Sequence, residues 1–252
     1  MSDKSLELCT ENLTVRKAAL AATSGADLLY ALKDSGTDTF WQSQNSASGA
    51  TETITLTFTD EYGAPCAAVI DRIVLQNTNA AKISAQYTNS DGETVAIAEA
   101  ALSGLSTNEA RIALDSPIKA AALMLTIEST QDGGEKKLGG LLVTKSLCTL
   151  SASTTLERSD YWRTGNFYTA DGSLVLWREY ARAAATLSVK EMAREQSRAI
   201  RLALEESPYL CILPGADYHD GAAAHYAVTS APREYYDPRT GLCELTLELR
   251  QS

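Results

Sequence analysis

The chain holds two histidines, His219 and His225, and the first lies in the one stretch where imidazole, carboxylate and phenol come together, Tyr218-His219-Asp220. A carboxylate beside an imidazole orients and charges it, so this is the natural place to look for an acid-base pair or a metal site. The spacing argues otherwise. Two histidines on either side of Gly221 match no fixed-ligand pattern, and Pro214-Gly215 and Gly221 are turn residues, which makes a loop between strands the simpler reading. There is no G-x-S-x-G elbow and no cysteine with a histidine near it in sequence, so a hydrolase lacks its nucleophile and base. The paired acids Asp60-Glu61 and Glu205-Glu206 would have to act as glycosidase carboxylates, yet sequence neighbours point apart on a strand and are solvated at a helix end. Gly133-Gly134 before Glu135-Lys136-Lys137 fits neither phosphate-loop pattern and reads as a hairpin turn. The expectation is a protein that is not an enzyme, with no catalytic residue, no metal ligand and no cofactor.

Residues suited to contacts are better represented. Trp41, Tyr62 and Tyr87 in the first half, and Tyr161, Trp162, Tyr168, Tyr218, Tyr235 and Tyr236 in the second, are amphipathic plates that fit sugar stacking or subunit contacts, with Trp41 a core candidate. Arg194, Arg198 and Arg201 recur at i, i+4 and i+7 beside Glu191 and Glu195, one polar stripe of a helix. Such a stripe is either a solvated face or, in a ring, a surface for an acidic neighbour that the planar guanidinium fork suits. Tyr218, Tyr235 and Tyr236 join it as interface candidates. A sugar would instead be held by amides and an aromatic plate in loops, with Tyr62, Asn77, Asn79 and Asn108 as the candidates.

The elements that must position these residues are mostly strands. Thr51 to Thr59 alternates, placing Ile54, Leu56 and Phe58 on one face and threonines on the other. The same period recurs at Ile73 and Leu75, Ile83 to Tyr87, Ile112 and Leu114, Leu123 to Ile127, and Leu141 and Val143, with turn residues between. The alanine- and leucine-rich stretch from Thr14 to Lys33 has room for a short helix, weakened by Gly25. After residue 150 come strand-like and turn segments through Trp177, then a capping box at Ser188-Val189-Lys190-Glu191 that predicts a helix over about 188–206, closed by Ser207-Pro208. Strands follow at 209–213 and 225–229, and a last hairpin turns at Asp237 to Gly241.

Composition limits the rest. With 252 residues, 44% hydrophobic and 21% charged, the chain folds around a core and has length for two domains. Thirty-two acids against 22 bases give a net charge of −10, which repels a nucleic-acid backbone. No apolar run is long enough for a membrane span and no signal-peptide pattern opens the chain. The five cysteines are widely spaced without a CxxC pair and read as buried free thiols of a protein made in a cytoplasm. Eight of nine lysines precede residue 150 and ten of thirteen arginines follow it, which puts a domain boundary there, at 1–149 and 150–252.

Several segments of the first half, Asp34 to Ser43 with its Thr39-Phe40-Trp41-Gln42-Ser43 element, the strand Thr53 to Phe58, Ile70-Asp71-Arg72-Ile73-Val74-Leu75-Gln76-Asn77 and Leu138-Gly139-Gly140-Leu141, resemble the discoidin or galactose-binding-like β-sandwich over residues 12–145. Gly140 stands where that family carries an acidic residue, and no cysteine pair joins the domain ends, so a calcium or sugar site of the family type does not follow. The helix, the strand Tyr209 to Pro214 and the closing strand to Arg250 resemble, at the level of pattern, the tail-tube-like domains of bacteriophage tail proteins, including distal tail proteins. The resulting expectation is a mainly β chain, a galactose-binding-like jelly-roll sandwich followed by an α+β domain with a β-sandwich or barrel and one packed helix. The resemblance implies a structural component of a phage or phage-like tail, located in the virion, forming a homo-oligomeric ring with other tail proteins as partners. The alternative is a carbohydrate-binding module that docks a particle or an enzyme onto surface glycans.

Overall fold

The computed structural model describes residues 5–33, 39–44, 50–97, 109–130, 134–150, 153–171, 173–215 and 222–251, with the backbone alone at 160–164 and 176–182. In chain order its elements are β1 (Leu6–Cys9), the single turn α1 (Leu13–Arg16), β2 (Ala18–Ala22), a 3-10 helix (Ala26–Lys33), β3 (Trp41–Gln42), β4 (Glu52–Phe58), β5 (Ala68–Gln76), β6 (Ala80–Thr88), β7 (Thr94–Ile97), β8 (Ala110–Ala120), β9 (Ala122–Thr130), β10 (Lys137–Leu138), β11 (Gly140–Thr144) and β12 (Ser146–Leu150). Then come β13 (Thr155–Tyr168), β14 (Leu174–Met192), α2 (Arg194–Glu206), β15 (Tyr209–Pro214), β16 (Ala224–Val228), β17 (Arg233–Asp237) and β18 (Leu242–Gln251). The chain is mainly β with one packed helix, as the alternating sequence predicts.

Two sheets, β2-β4-β9-β6-β7 and β11-β5-β8, make the first sandwich. Ile54, Leu56 and Phe58 of β4 and Leu123, Leu125 and Ile127 of β9 have no exposed surface, since alternation sends each of them into the space between the sheets. On β5 the inward residues are Ile70, Ile73 and Leu75, a broken period that coincides with the register shift between Ile70 and Arg72, where β5 advances two residues while β8 runs from Ile118 to Ala113. The stretch 14–33 is not one helix. It divides into α1, β2 and the 3-10 helix, and Gly25 separates the last two at φ +62, where a Cβ would collide with the Gln42 carbonyl.

The second sheet has the order β12-β1-β15-β16-β18-β14-β13, with β17 paired to β18. Its first member by sequence, β1, precedes the sandwich in the chain yet is hydrogen bonded between β12 and β15, so it belongs to this sheet and not to an extension of the sandwich. The helix also departs from the sequence reading. Residues 188–192 continue β14, pairing Leu187 with Leu247 and Val189 with Leu245, and α2 begins only at Arg194. Sheet pairing that buries Leu187 and Val189 outweighs the Ser188 to Glu191 capping signal. Glu191 instead lies in the bulge before Met192 at φ +57, and the Gln196 side chain accepts from the Ala193 N–H at 3.2 Å. The helix end at Ser207-Pro208 and the hairpin at Asp237 to Gly241 fall where the sequence places them.

A third apolar cluster joins the two sheet systems. Val74 and Leu142, on the outer face of β5 and β11, pack with Cys9, Cys211, Leu213 and Ala223. Polar bonds frame it: the Arg72 Nε donates to both Glu7 oxygens at 3.0 Å, its Nη1 donates to the Asp71 carbonyl at 2.9 Å, and the Ser146 hydroxyl donates to Glu7 at 2.6 Å. Beside it Arg111 and Gln76 donate to the carbonyls of Pro214 and Ala223, and Glu109 accepts from the Ala223 N–H at 3.0 Å. Arg72→Leu strips the four-fifths-buried Glu7 carboxylate of its guanidinium partner, and urea unfolding of the full chain should show a loss of about 2–3 kcal/mol.

Candidate functional site

The arginine stripe lands on a surface. The inward face of α2 buries Ser197 and Ile200 against the second sheet, which turns Arg194, Arg198 and Arg201 outward. Together with Glu195, Leu202, Glu205 and Glu234 of β17 they line an open groove of about 640 Å³. Arg201 meets Glu234 at 3.1 Å and the Ser197 hydroxyl donates to the same carboxylate at 2.6 Å. The Ser197 hydrogen bond, helped by Arg201, holds the Glu234 carboxyl below the usual carboxylate range. The Arg194 guanidinium lies over the Tyr236 ring at 6.0 Å, and Tyr235 and Tyr236 are 63% and 49% exposed on β17. Among the described residues neither Arg194 nor Arg198 has an ion pair. The structure thus brings together the interface candidates Arg194, Arg198, Arg201 and Tyr236, whereas Tyr235, between Glu234 and Tyr236 on β17, alternates to the opposite face; Tyr218 lies outside the described residues, as do His219 and Asp220.

A second feature lies in the strand-like and turn segments that the sequence places before Trp177. β13 pairs with β14 from Thr155 to Tyr168, but β18 joins β14 only from Ala184 onward. Among the described residues, Asp160–Tyr168 and Leu174–Ala183 therefore form a two-stranded ribbon beyond the sheet, roughly 25–30 Å long at the rise of a strand. Six aromatic residues fall in it by sequence, Tyr161, Trp162, Phe167, Tyr168, Trp177 and Tyr180. At its tip Tyr168 and Leu174 are register partners, 72% and 49% exposed. The Asp171 carboxylate caps the turn, accepting from the Thr169 hydroxyl and from the Ser173 N–H at 3.1 Å, and these bonds hold it below the usual range. Asp171-Gly172 between two aromatic runs was the available signal.

The sandwich loops do not assemble the sugar candidates. Tyr62 is 87% exposed on the β4–β5 turn, shaped by Asp60, which accepts from the Tyr62 and Ala64 N–H groups at 2.9 and 2.8 Å. Asn77 and Asn79 follow the other end of β5, nine residues on and roughly 25 Å away along the strand. Asn79 is occupied structurally, donating to the Glu135 carbonyl and accepting from the Lys137 N–H, both at 2.8 Å, and Asn77 lies against Gly139 at φ +49. Asn108 is outside the described residues. Trp41 is wholly buried and donates to the Ser24 carbonyl at 3.1 Å, while Tyr87 packs at the edge of the core.

His225 is 3% exposed on β16, stacked on Tyr209 with ring centroids 5.3 Å apart. Burial, with Arg16 adding to it, pushes its pKa down to about 4, so it is neutral at pH 7. The cysteines are free thiols. Cys9, Cys148, Cys211 and Cys243 are buried and Cys66 is partly exposed. Burial raises Cys9 and Cys211, register partners across β1 and β15, and pushes Cys148 up to about 11, which keeps these sulfurs protonated.

No family model and no curated protein matches the chain. Among solved structures, the chain is similar to chitosan-binding module 1 of a chitosanase/glucanase from Paenibacillus sp. IK-5, with a TM-score of 0.43 and 15% identity over 54% of this chain and 98% of that one. It is also similar to the family 32 carbohydrate-binding module of C. perfringens NanJ in complex with galactose, with a TM-score of 0.44 and 17% identity over 54% and 99% of the two chains. The Clostridium perfringens module CpGH89CBM32-5, in complex with GalNAc-β-1,3-galactose, gives 0.41 and 16% over 52% and 98%.

Proposed function

We propose that this chain is a non-enzymatic structural subunit that works by associating with further copies of itself. One observation carries the reading: among the described residues, the ribbon from Asp160 to Ala183 leaves the sheet without a third strand. A two-stranded hairpin is at best marginally stable in water, and an aromatic-rich one acquires its missing layer from another chain. The groove with Arg194, Arg198 and Arg201 beside Tyr236 offers a second contact surface. Among associating subunits, a component of a phage or phage-like tail, in its distal tail, baseplate or tip, is the finer proposal, supported by the pattern-level likeness of the helix and the strands around it. The net charge of −10 keeps subunits apart until specific contacts form. Light scattering across a concentration series tests the reading: a closed ring or a defined oligomer is expected, and a strict monomer at high concentration overturns it.

A second reading, glycan docking through the sandwich, has one observation in its favour: Tyr62 stands almost fully exposed on a turn held rigid by Asp60. A glycan array should then show binding that Tyr62→Ala removes without a change in thermal midpoint. An array at background ends that reading.

A further inference from the structure

The ribbon tip and the α2 groove are complementary in chemistry and separated within one chain. The tip offers a flat apolar pair, Tyr168 and Leu174, beside the exposed Asp171 carboxylate. The groove offers Leu202, 50% exposed, beside two arginines without a carboxylate partner among the described residues, Arg194 and Arg198. A fixed distance keeps the two apart. From Leu174 at the tip, β14 runs 19 residues to Met192, and α2 starts two residues later; at the rise of a strand this is roughly 60 Å. A tip held on that strand does not fold back into its own groove.

We infer that the α2 groove receives the ribbon tip of a second copy, with Tyr168 and Leu174 against Leu202 and the Asp171 carboxylate between Arg194 and Arg198. This deepens the association reading above and rests on it. The contact is heterologous, tip to groove, so each copy donates one tip and accepts another, and repetition generates a ring when the rotation closes and a filament when it does not. Arginine suits the site because its planar fork takes a carboxylate with two bonds, while Leu202 and the Tyr236 face exclude water around the pair. Glu234 stays out of competition because Arg201 and Ser197 already hold it.

Full-length Tyr168→Cys protein mixed with full-length Leu202→Cys protein under a mild oxidant tests the contact directly. A covalent dimer is expected in the mixture well above the level in either protein alone. Alongside it, Arg198→Glu should weaken self-association of the otherwise native chain at least ~10-fold, about 1.4 kcal/mol. Asp171→Asn, which retains the oxygen that caps the turn, should weaken it by a smaller factor. A wild-type protein that assembles but gives no mixed cross-link overturns the tip-to-groove pairing and leaves the association reading standing. A wild-type protein that remains monomeric overturns both.

Discussion

Replacing Tyr161 to Arg182 with an Asn-Gly turn that joins Asp160 to Ala183 should yield a protein that folds as before and no longer assembles. Folding should survive because, among the described residues, none of the excised pairs involves a third strand: β18 meets β14 at Ala184 and beyond, and the core of the second sheet is drawn from Leu187, Val189, Leu210, Leu245, Leu247 and their neighbours. The thermal midpoint should move by no more than a few degrees, the range expected when about 1 kcal/mol is at stake in a chain of this length. Assembly should fall at least ~100-fold, because the excision removes Tyr168, Leu174 and five further aromatic residues at once, and single interface aromatics are commonly worth 2 kcal/mol or more. Analytical ultracentrifugation of the two proteins at matched concentrations decides it. Undiminished assembly would place the contact elsewhere on the molecule, and loss of the folded state would show that the ribbon belongs to the core after all.

The same ribbon shows what the sequence conceals. Alternation identifies a strand when one face is buried and the other wet, which is why Ile54, Leu56 and Phe58 are legible as a core face from their spacing alone. The ribbon is paired on one edge only among the described residues and shows no such contrast, and Tyr161 to Tyr180 reads as aromatics scattered among strand-like and turn segments. The start of α2 misleads for a related reason: Ala185, Leu187 and Val189 repeat with period two, while Ser188 and Glu191 spell a helix cap, and only the pairing with β18 decides between them. β1 is four residues whose partners at Cys148 and Ile212 lie far along the chain, so nothing local marks its sheet. By contrast, the junction was signalled. Ile73-Val74-Leu75 and Leu141-Leu142-Val143 are uninterrupted apolar runs, the signature of strands covered on both faces, and the outer cover proves to be Cys9, Cys211 and Leu213.

The candidate surfaces divide in the same way. Helical spacing alone is enough to align Arg194, Arg198 and Arg201, since i, i+4 and i+7 share a face whatever surrounds the helix. Leu202 and Glu234 come from a position off that spacing and from another element, and only the tertiary fold adds them to the groove. Tyr62 and Asn77 do not come together because sequence order hides length: they are fifteen residues apart in the chain, and most of that interval is the strand β5, which sets them toward opposite ends of the sandwich.

Stability should decline as the pH falls from 7 to 5, and His225 should account for most of the slope. In the unfolded chain its imidazole takes a proton near pH 6.5, whereas in the folded chain it resists protonation down to about 4. Desolvation on β16 is the main cause, since protonation would place a charge where 3% of the residue is exposed. Arg16, over the Tyr209 ring at 4.8 Å from its centroid, adds repulsion, and Glu11 opposes both. Glu11 is itself engaged by Lys17 at 2.6 Å and by the Ser207 hydroxyl at 2.9 Å, which limits its help. Because the depressed pKa belongs to the folded state, the unfolded state binds the extra proton, so unfolding is favoured by acid between 6.5 and 4 and indifferent to pH on either side as far as this group is concerned. The full window is worth about 3 kcal/mol, and about 2 kcal/mol of it is lost by pH 5, before most carboxylates titrate. His225→Phe keeps a ring against Tyr209 and has no proton to gain, so urea unfolding at pH 7, 6 and 5 should give a flat series for the variant against a falling one for the parent. Parallel series for both would remove His225 as the cause.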